Sequence, residues 1–145
     1  MNALHRRHAL LAIPAVGLGT LGLLGAGPVV RAAWTGFPKQ DPLLVADIVG
    51  AAHSDEARVR ALLDAHPALV HACWDWGFGD WETALGAASH TGQRAIAELL
   101  IARGARVDIF AASMLGMLDV VKSFVGASAG VQRALGPHCI TLLAH

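Results

Sequence analysis

Residues 83–108 constrain this chain more than any other stretch. Thr83-Ala84-Leu85-Gly86-Ala87-Ala88-Ser89 reads as one short helix, His90-Thr91-Gly92 interrupts it, and Arg94 to Arg103 reads as a second helix. Thr83 suits the N-cap, because its hydroxyl can accept from a first-turn amide that lacks an intrahelical partner. Ile96, Leu99 and Leu100 share one face of the second helix at spacings of 3 and 4. Gly104 supplies the left-handed residue that commonly closes a helix. Two helices this short, joined by a glycine turn, cannot bury an apolar face alone. They need neighbours of the same kind.

The neighbours are in the sequence. Ala87-Ala88 followed by Gly92 recurs as Ala111-Ala112 followed by Gly116. Ile96, Leu100 and Ile101 recur as Val120, Phe124 and Val125. Upstream, Ala51-Ala52 precede Asp55, and Val59, Leu62 and Leu63 take the same helix face. The second-helix anchors Val59, Ile96 and Val120 are 37 and 24 residues apart, so the connecting segments differ in length while the helices do not. Ile140-Thr141-Leu142-Leu143-Ala144-His145 reads as the opening of a fourth unit, with Thr141 and Leu143 in the places of Thr83 and Leu85. A stack of this kind normally ends in a polar cap. A half-built last unit is expected to leave its neighbour's apolar face exposed, as in a truncated product, a fragment or a chain completed by a partner.

These residues resemble the ankyrin repeat, whose pattern is Thr-Pro-Leu-His-x-Ala, a glycine turn, a second helix ending in Leu-Leu, then Gly-Ala-Asp-Val-Asn. Thr83-Ala84-Leu85-Gly86-Ala87-Ala88 matches the opening and Gly92 the turn. Leu99-Leu100-Ile101 and Gly104-Ala105-Arg106-Val107-Asp108 match the close, and Leu118-Asp119-Val120-Val121-Lys122 fits in the next unit. Two positions depart: Ala84 stands for proline and Gly86 for histidine. In the family that histidine ties neighbouring turns together, a tie Gly86 cannot make. The resemblance covers residues 43–145 and implies an all-α solenoid of about three helix-turn-helix repeats plus a partial fourth. It also implies a non-catalytic protein-interaction module whose concave face, built from first helices and loops, meets a protein partner. Asp75-Trp76-Gly77-Phe78-Gly79-Asp80-Trp81-Glu82 and Gly136-Pro137-His138 look like segments of a bacterial exported ankyrin subfamily, which adds no chemistry.

The N-terminus reads as a leader rather than as fold. Arg6-Arg7 is followed by a stretch from Ala9 to Val30 without a charged side chain, then Arg31-Ala32-Ala33. A basic start, an apolar middle and a small-residue end make a secretory signal over residues 1–32. Arg6-Arg7 with Leu10 resembles a twin-arginine signal, while His5, Ala9 and Leu11 depart from it, so an ordinary secretion signal stands beside that reading. The stretch is also long enough to serve as an uncleaved membrane anchor. Residues 33–42, with Gly36, Pro38 and Pro42, read as a linker. Export to the periplasm or beyond is expected. Without residues 1–32, eight of eleven basic residues remain beside all eleven acidic ones, a net charge of −3 with histidine neutral. That argues against a nucleic-acid partner, which requires a basic face. Cys73 and Cys139 fall about two repeats apart, beyond disulfide reach, so no bond between them is expected.

Candidate chemistry is sparse. Trp74, Trp76, Phe78 and Trp81 cluster around Gly77 and Gly79. Such a loop serves either as a recognition patch, since tryptophan is enriched at binding hot spots, or as rings folded back over a small core. Asp75, Asp80 and Glu82 read as turn and helix caps. Among the histidines, His66 and His71 are separated by Pro67, while His90 and His138 fall near turns of different repeats and are placed to approach each other. Spacing along the chain therefore assigns no metal ligand, and inter-turn hydrogen bonding is the ordinary role. Cys73 near His71 lacks the spatially assembled form of a nucleophile site. No Gly-x-Ser-x-Gly, phosphate-loop, dinucleotide or His-Glu-x-x-His motif occurs. The expectation is thus no enzyme, no cofactor and no metal, with Trp76, Phe78, Trp81 and His90 as contacts to a protein. Self-association through the half-built C-terminal unit is one alternative. A metal-dependent or hydrolytic enzyme is another, and would need a convergent cluster of histidines and acids.

Overall fold

A computed structural model describes residues 40–145. The expected leader and most of the expected linker lie outside the described residues. Among the described residues six α-helices follow one another: α1 (Pro42–Ala51), α2 (Glu56–Ala65), α3 (Ala84–His90), α4 (Arg94–Ala102), α5 (Ile109–Met114) and α6 (Leu118–Ala127). A 3-10 turn at Pro67–His71 leads into a two-stranded antiparallel hairpin, β1 (Cys73–Asp75) and β2 (Trp81–Thr83), in which Trp74 pairs with Glu82. The fold is therefore mostly helical with one small sheet, an amendment to a purely helical reading. Trp74 and Trp76 alternate with Cys73 and Asp75 at the period of 2 that a strand requires.

Local chemistry accounts for where the helices begin and end. Asp41, Asp55, Thr83 and Asp108 each cap a helix, their side chains accepting from Leu43, Arg58, Gly86 and Ala111 backbone N–H groups. The Thr83 bond is 2.9 Å long. Thr83→Ala is expected to cost about 1 kcal/mol of unfolding free energy, read as a shift in urea midpoint, with Thr83→Ser restoring most of it. Gly92 and Gly116 end α3 and α5 in the same way. Both have positive φ, +69° and +72°, which an L side chain rarely adopts. In both turns the next residue's N–H reaches back 2.8 Å, Gln93 to the Ala88 carbonyl and Met117 to that of Ala112.

Each first helix packs on its second: α1 on α2, α3 on α4, α5 on α6. The first helices also line up, α1 on α3 and α3 on α5, and α2 meets α4. Residues 83–125 thus form two successive helical hairpins side by side. Small residues permit this spacing: Ala84, Ala87, Ala88, Ala111 and Ala112 are wholly buried. With α1 and α5 on either side of it, α3 is buried along its length from Ala84 to Ser89. Ile48, Val49, Val59, Leu63, Leu69, Leu85 and Leu100 fill the core between the layers.

The chain end departs from expectation. Residues 131–133, 137–139 and 142–144 form short 3-10 turns instead of an opening α-helix. The last turn packs against α5, at the end of the row of first helices. It is Leu142 that is buried there, whereas Leu143, expected in the place of Leu85, is fully exposed. A 3-10 turn advances with three residues per turn rather than 3.6, so the side chain that faces inward is not the one an α-helical register selects. The last second helix, α6, has no fully buried residue.

Candidate functional site

The ends of α1 and α3 meet because those helices lie side by side. His53 stands two residues past the end of α1 and His90 is the last residue of α3; their ring centroids are 5.1 Å apart. Glu82 lies in β2, which runs straight into the Thr83 cap of α3, so its side chain is delivered beneath the same ends. His138 arrives from the C-terminal turn and stands 5.3 Å from His90, ring to ring. Three histidines from three separate segments therefore surround one carboxylate.

That carboxylate is wholly buried, at 0% exposure. Glu82 Oε2 accepts from Trp76 Nε1 at 2.7 Å. Its other neighbours are His90 Nε2 at 2.8 Å from Oε1, His138 Nε2 at 3.5 Å from Oε1, and His53 Nε2 at 3.6 Å from Oε2. Glu82 Oε1 and His90 Nε2 are both buried, yet neither has a well-formed hydrogen bond.

The outer atoms orient the rings. His53 Nδ1 lies 3.0 Å from the Val49 carbonyl oxygen, which accepts only if Nδ1 carries the proton. His138 Nδ1 lies 2.8 Å from Asp80 Oδ2, while Asp80 Oδ1 accepts the His138 backbone N–H at 2.9 Å. Asp80 is held below the usual carboxylate range, first by that backbone N–H. With Nδ1 as the donor in both rings, Nε2 faces Glu82, as a lone pair in the neutral imidazole and as a second N–H in the imidazolium. Burial lowers His90 below the ordinary histidine range, outweighing the pull of Glu82, and His53 and His138 act in the same downward direction. His138 and Cys139 both sit at left-handed φ, +57° and +59°. Such a conformation costs on the order of 1–3 kcal/mol per residue and persists only where surrounding contacts enforce it.

The aromatic segment divides. Trp74 packs against the core. Trp76 lies edge-on to His53 and tilted against His138, with centroids 6.4 and 5.8 Å away, walling the cluster while remaining 48% exposed. Phe78 at the hairpin tip is fully exposed and Trp81 is 62% exposed. Both sequence readings of this loop thus describe part of it. His90, expected to contact a partner, instead has a side chain only 12% exposed and faces Glu82. Its place at the inner end of α3 points it away from solvent. A separate cavity of about 590 Å³ lies beyond the hairpin, between Phe78, Asp80, Trp81, Gly86, Phe110 and Pro137. None of His53, Glu82, His90 and His138 lines it. Cys73 and Cys139 are exposed free thiols.

Glu82 and His53 are the residues that reading along the chain missed. Glu82 caps nothing; it is buried among aromatic rings. The available signal was positional: Ala51-Ala52-His53 and Ala87-Ala88-Ser89-His90 each place a histidine just beyond a paired alanine on a first helix. Asp75, by contrast, does cap its turn, accepting from the Gly77 N–H at 2.9 Å. Among the described residues no helix is long and apolar enough to cross a membrane. No family model, curated protein or solved structure matches the chain.

Proposed function

We propose that residues 43–145 are an ankyrin-type repeat domain that binds a protein partner without catalysis, acting after export from the cytoplasm. The observation that carries this is the presentation of Phe78 and Trp81, large apolar side chains held in solvent on a hairpin whose base is anchored in the core. Aromatic groups held outward on a rigid element are characteristic of binding hot spots. Support for the repeat assignment comes from the row of first helices, the paired second helices and the matching glycine turns. The titratable cluster and the cavity do not coincide, which favours binding over turnover. Within this reading, Trp76, Phe78 and Trp81 keep the partner-contact role and His90 becomes a residue of the supporting framework.

The test is capture of a partner from a periplasmic extract on the immobilised chain. Phe78→Ala with Trp81→Ala is expected to abolish capture while leaving the circular dichroism spectrum unchanged. Equal capture by the double variant would remove the hairpin from consideration. A second reading, self-association at the C-terminal end, is favoured by the full exposure of Leu143 and the 57% exposure of Leu135. Light scattering that shows a monomer at high concentration would exclude it.

A further inference from the structure

We propose that His53, Glu82, His90 and His138 form a binding site for one divalent transition-metal ion of the zinc class. One donor atom from each residue lies within 4.8 Å of every other. Tetrahedral zinc, with bonds of about 2.0–2.1 Å, places its donor atoms about 3.3 Å from one another. Glu82 Oε1 lies 2.8 and 3.5 Å from the Nε2 atoms of His90 and His138, which bracket that spacing, and His53 Nε2 lies 3.6 Å from the other oxygen, Oε2.

The chemistry of the donors agrees with the spacing. Two of the imidazoles are fixed by acceptors at Nδ1, the Val49 carbonyl and the Asp80 carboxylate, which leaves Nε2 as the inward-facing atom. That is the outer arrangement typical of metal-bound histidine. In neutral rings, lone pairs on His53 and His138 face a carboxylate that also carries lone pairs, so a proton or a cation must stand between them, and a wholly buried carboxylate costs several kcal/mol unless it is compensated. Of the three buried side-chain atoms without a good hydrogen bond among the described residues, two, Glu82 Oε1 and His90 Nε2, belong to this cluster. Three imidazoles and one carboxylate suit zinc, copper, nickel or cobalt rather than magnesium or calcium, which favour all-oxygen shells.

Four protein donors fill a tetrahedral shell, the form of a structural site. Such an ion would join the end of α1, the strand leading into α3 together with the far end of α3, and the C-terminal turn. It would also hold the strained His138 turn in place and fix Trp76 through Glu82. The site exists whether or not the hairpin binds a partner.

The test uses the full chain, stripped with chelator and titrated with zinc chloride in competition with a chromophoric chelator. The expected result is one tight equivalent, with a rise in Tm and a change in tryptophan fluorescence that saturate together. Cobalt chloride in place of zinc should give the intense visible bands of four-coordination. Glu82→Gln, which keeps volume and an acceptor for Trp76, should abolish the stoichiometric equivalent. Asp80→Asn, which loosens only the support of His138, should weaken it by about 10–100-fold. His66→Ala with His71→Ala should leave it unchanged. The proposal is overturned if the stripped wild-type chain binds no saturable equivalent. It is equally overturned if Glu82→Gln and Asp80→Asn, both folded by circular dichroism, bind zinc as wild type does, since the ion would then sit elsewhere and the cluster would be a proton-shared hydrogen-bond network.

Discussion

Leu100→Ala is expected to lower the unfolding free energy by about 2–5 kcal/mol, the cost of deleting a buried leucine and leaving a void. Leu100 has no exposed surface and sits in the layer between α4 and the first helices. Its neighbours belong to the same cluster as Ile96, Leu85 and Leu63. Helical hairpins this short have no second core to draw on. The loss therefore falls on a total of about 5–15 kcal/mol for a domain of ordinary stability. With a denaturant slope of about 1–3 kcal/mol per molar urea, the midpoint should drop by about 1 M or more. Leu143→Ala is the matched control. That side chain is fully exposed, and its removal should change stability by less than about 0.5 kcal/mol. Equal effects from the two variants would mean that α4 does not pack as described.

Gly86→His should destabilise the fold by about 1–3 kcal/mol through overpacking, although histidine is the residue found there in the repeat pattern this chain resembles. A Cβ at Gly86 would lie 3.3 Å from Pro137 Cγ, 3.4 Å from Thr83 Oγ1 and 3.6 Å from Glu82 Cγ. An imidazole has no room unless the 136–139 turn withdraws. Gly86→Ala should be close to neutral. The tight contact with Pro137 is offset by the advantage of alanine over glycine inside a helix, about 0.5–1 kcal/mol. Thermal unfolding separates the two variants, at roughly 4–8 °C of Tm per kcal/mol for a domain near this size. Because the same turn carries His138, Gly86→His should also free the Asp80 side chain. A histidine variant that melts with wild type would show that Pro137 does not press on α3.

The departure at Gly86 gains its meaning from this contact. In the repeat pattern, a histidine at that position ties neighbouring turns. Here the ties run elsewhere, through His90 to Glu82 and through His138 to Asp80. Pro137 occupies the space that the missing side chain leaves.

Much of the helical part was legible in the amino-acid order. Thr83 as a cap, the turns at Gly92 and Gly116, and the inward face carrying Ile96 and Leu100 all follow from interactions within one or two turns of helix. They depend on hydroxyl-to-amide bonds, positive φ and a period of 3.6 residues, which neighbouring residues express directly. The short strands were less legible, because aromatic residues between glycines suit a loop, a hairpin or a core-covering segment equally well. Only the antiparallel pairing of Trp74 with Glu82 chose the hairpin.

The tertiary structure alone decided the environment of Glu82. Its three histidine neighbours lie 29 residues before it and 8 and 56 residues after it, distances that no local period links. They converge because α1 and α3 stack laterally, ending at the same level, and because Pro137 fits against Gly86. The same holds for Leu142, which is buried in place of Leu143 by the winding of a single 3-10 turn against α5. Sequence order records which faces are apolar and where helices stop. Which stopped ends then meet depends on side-chain volumes across the stack, and those are not neighbours in the chain.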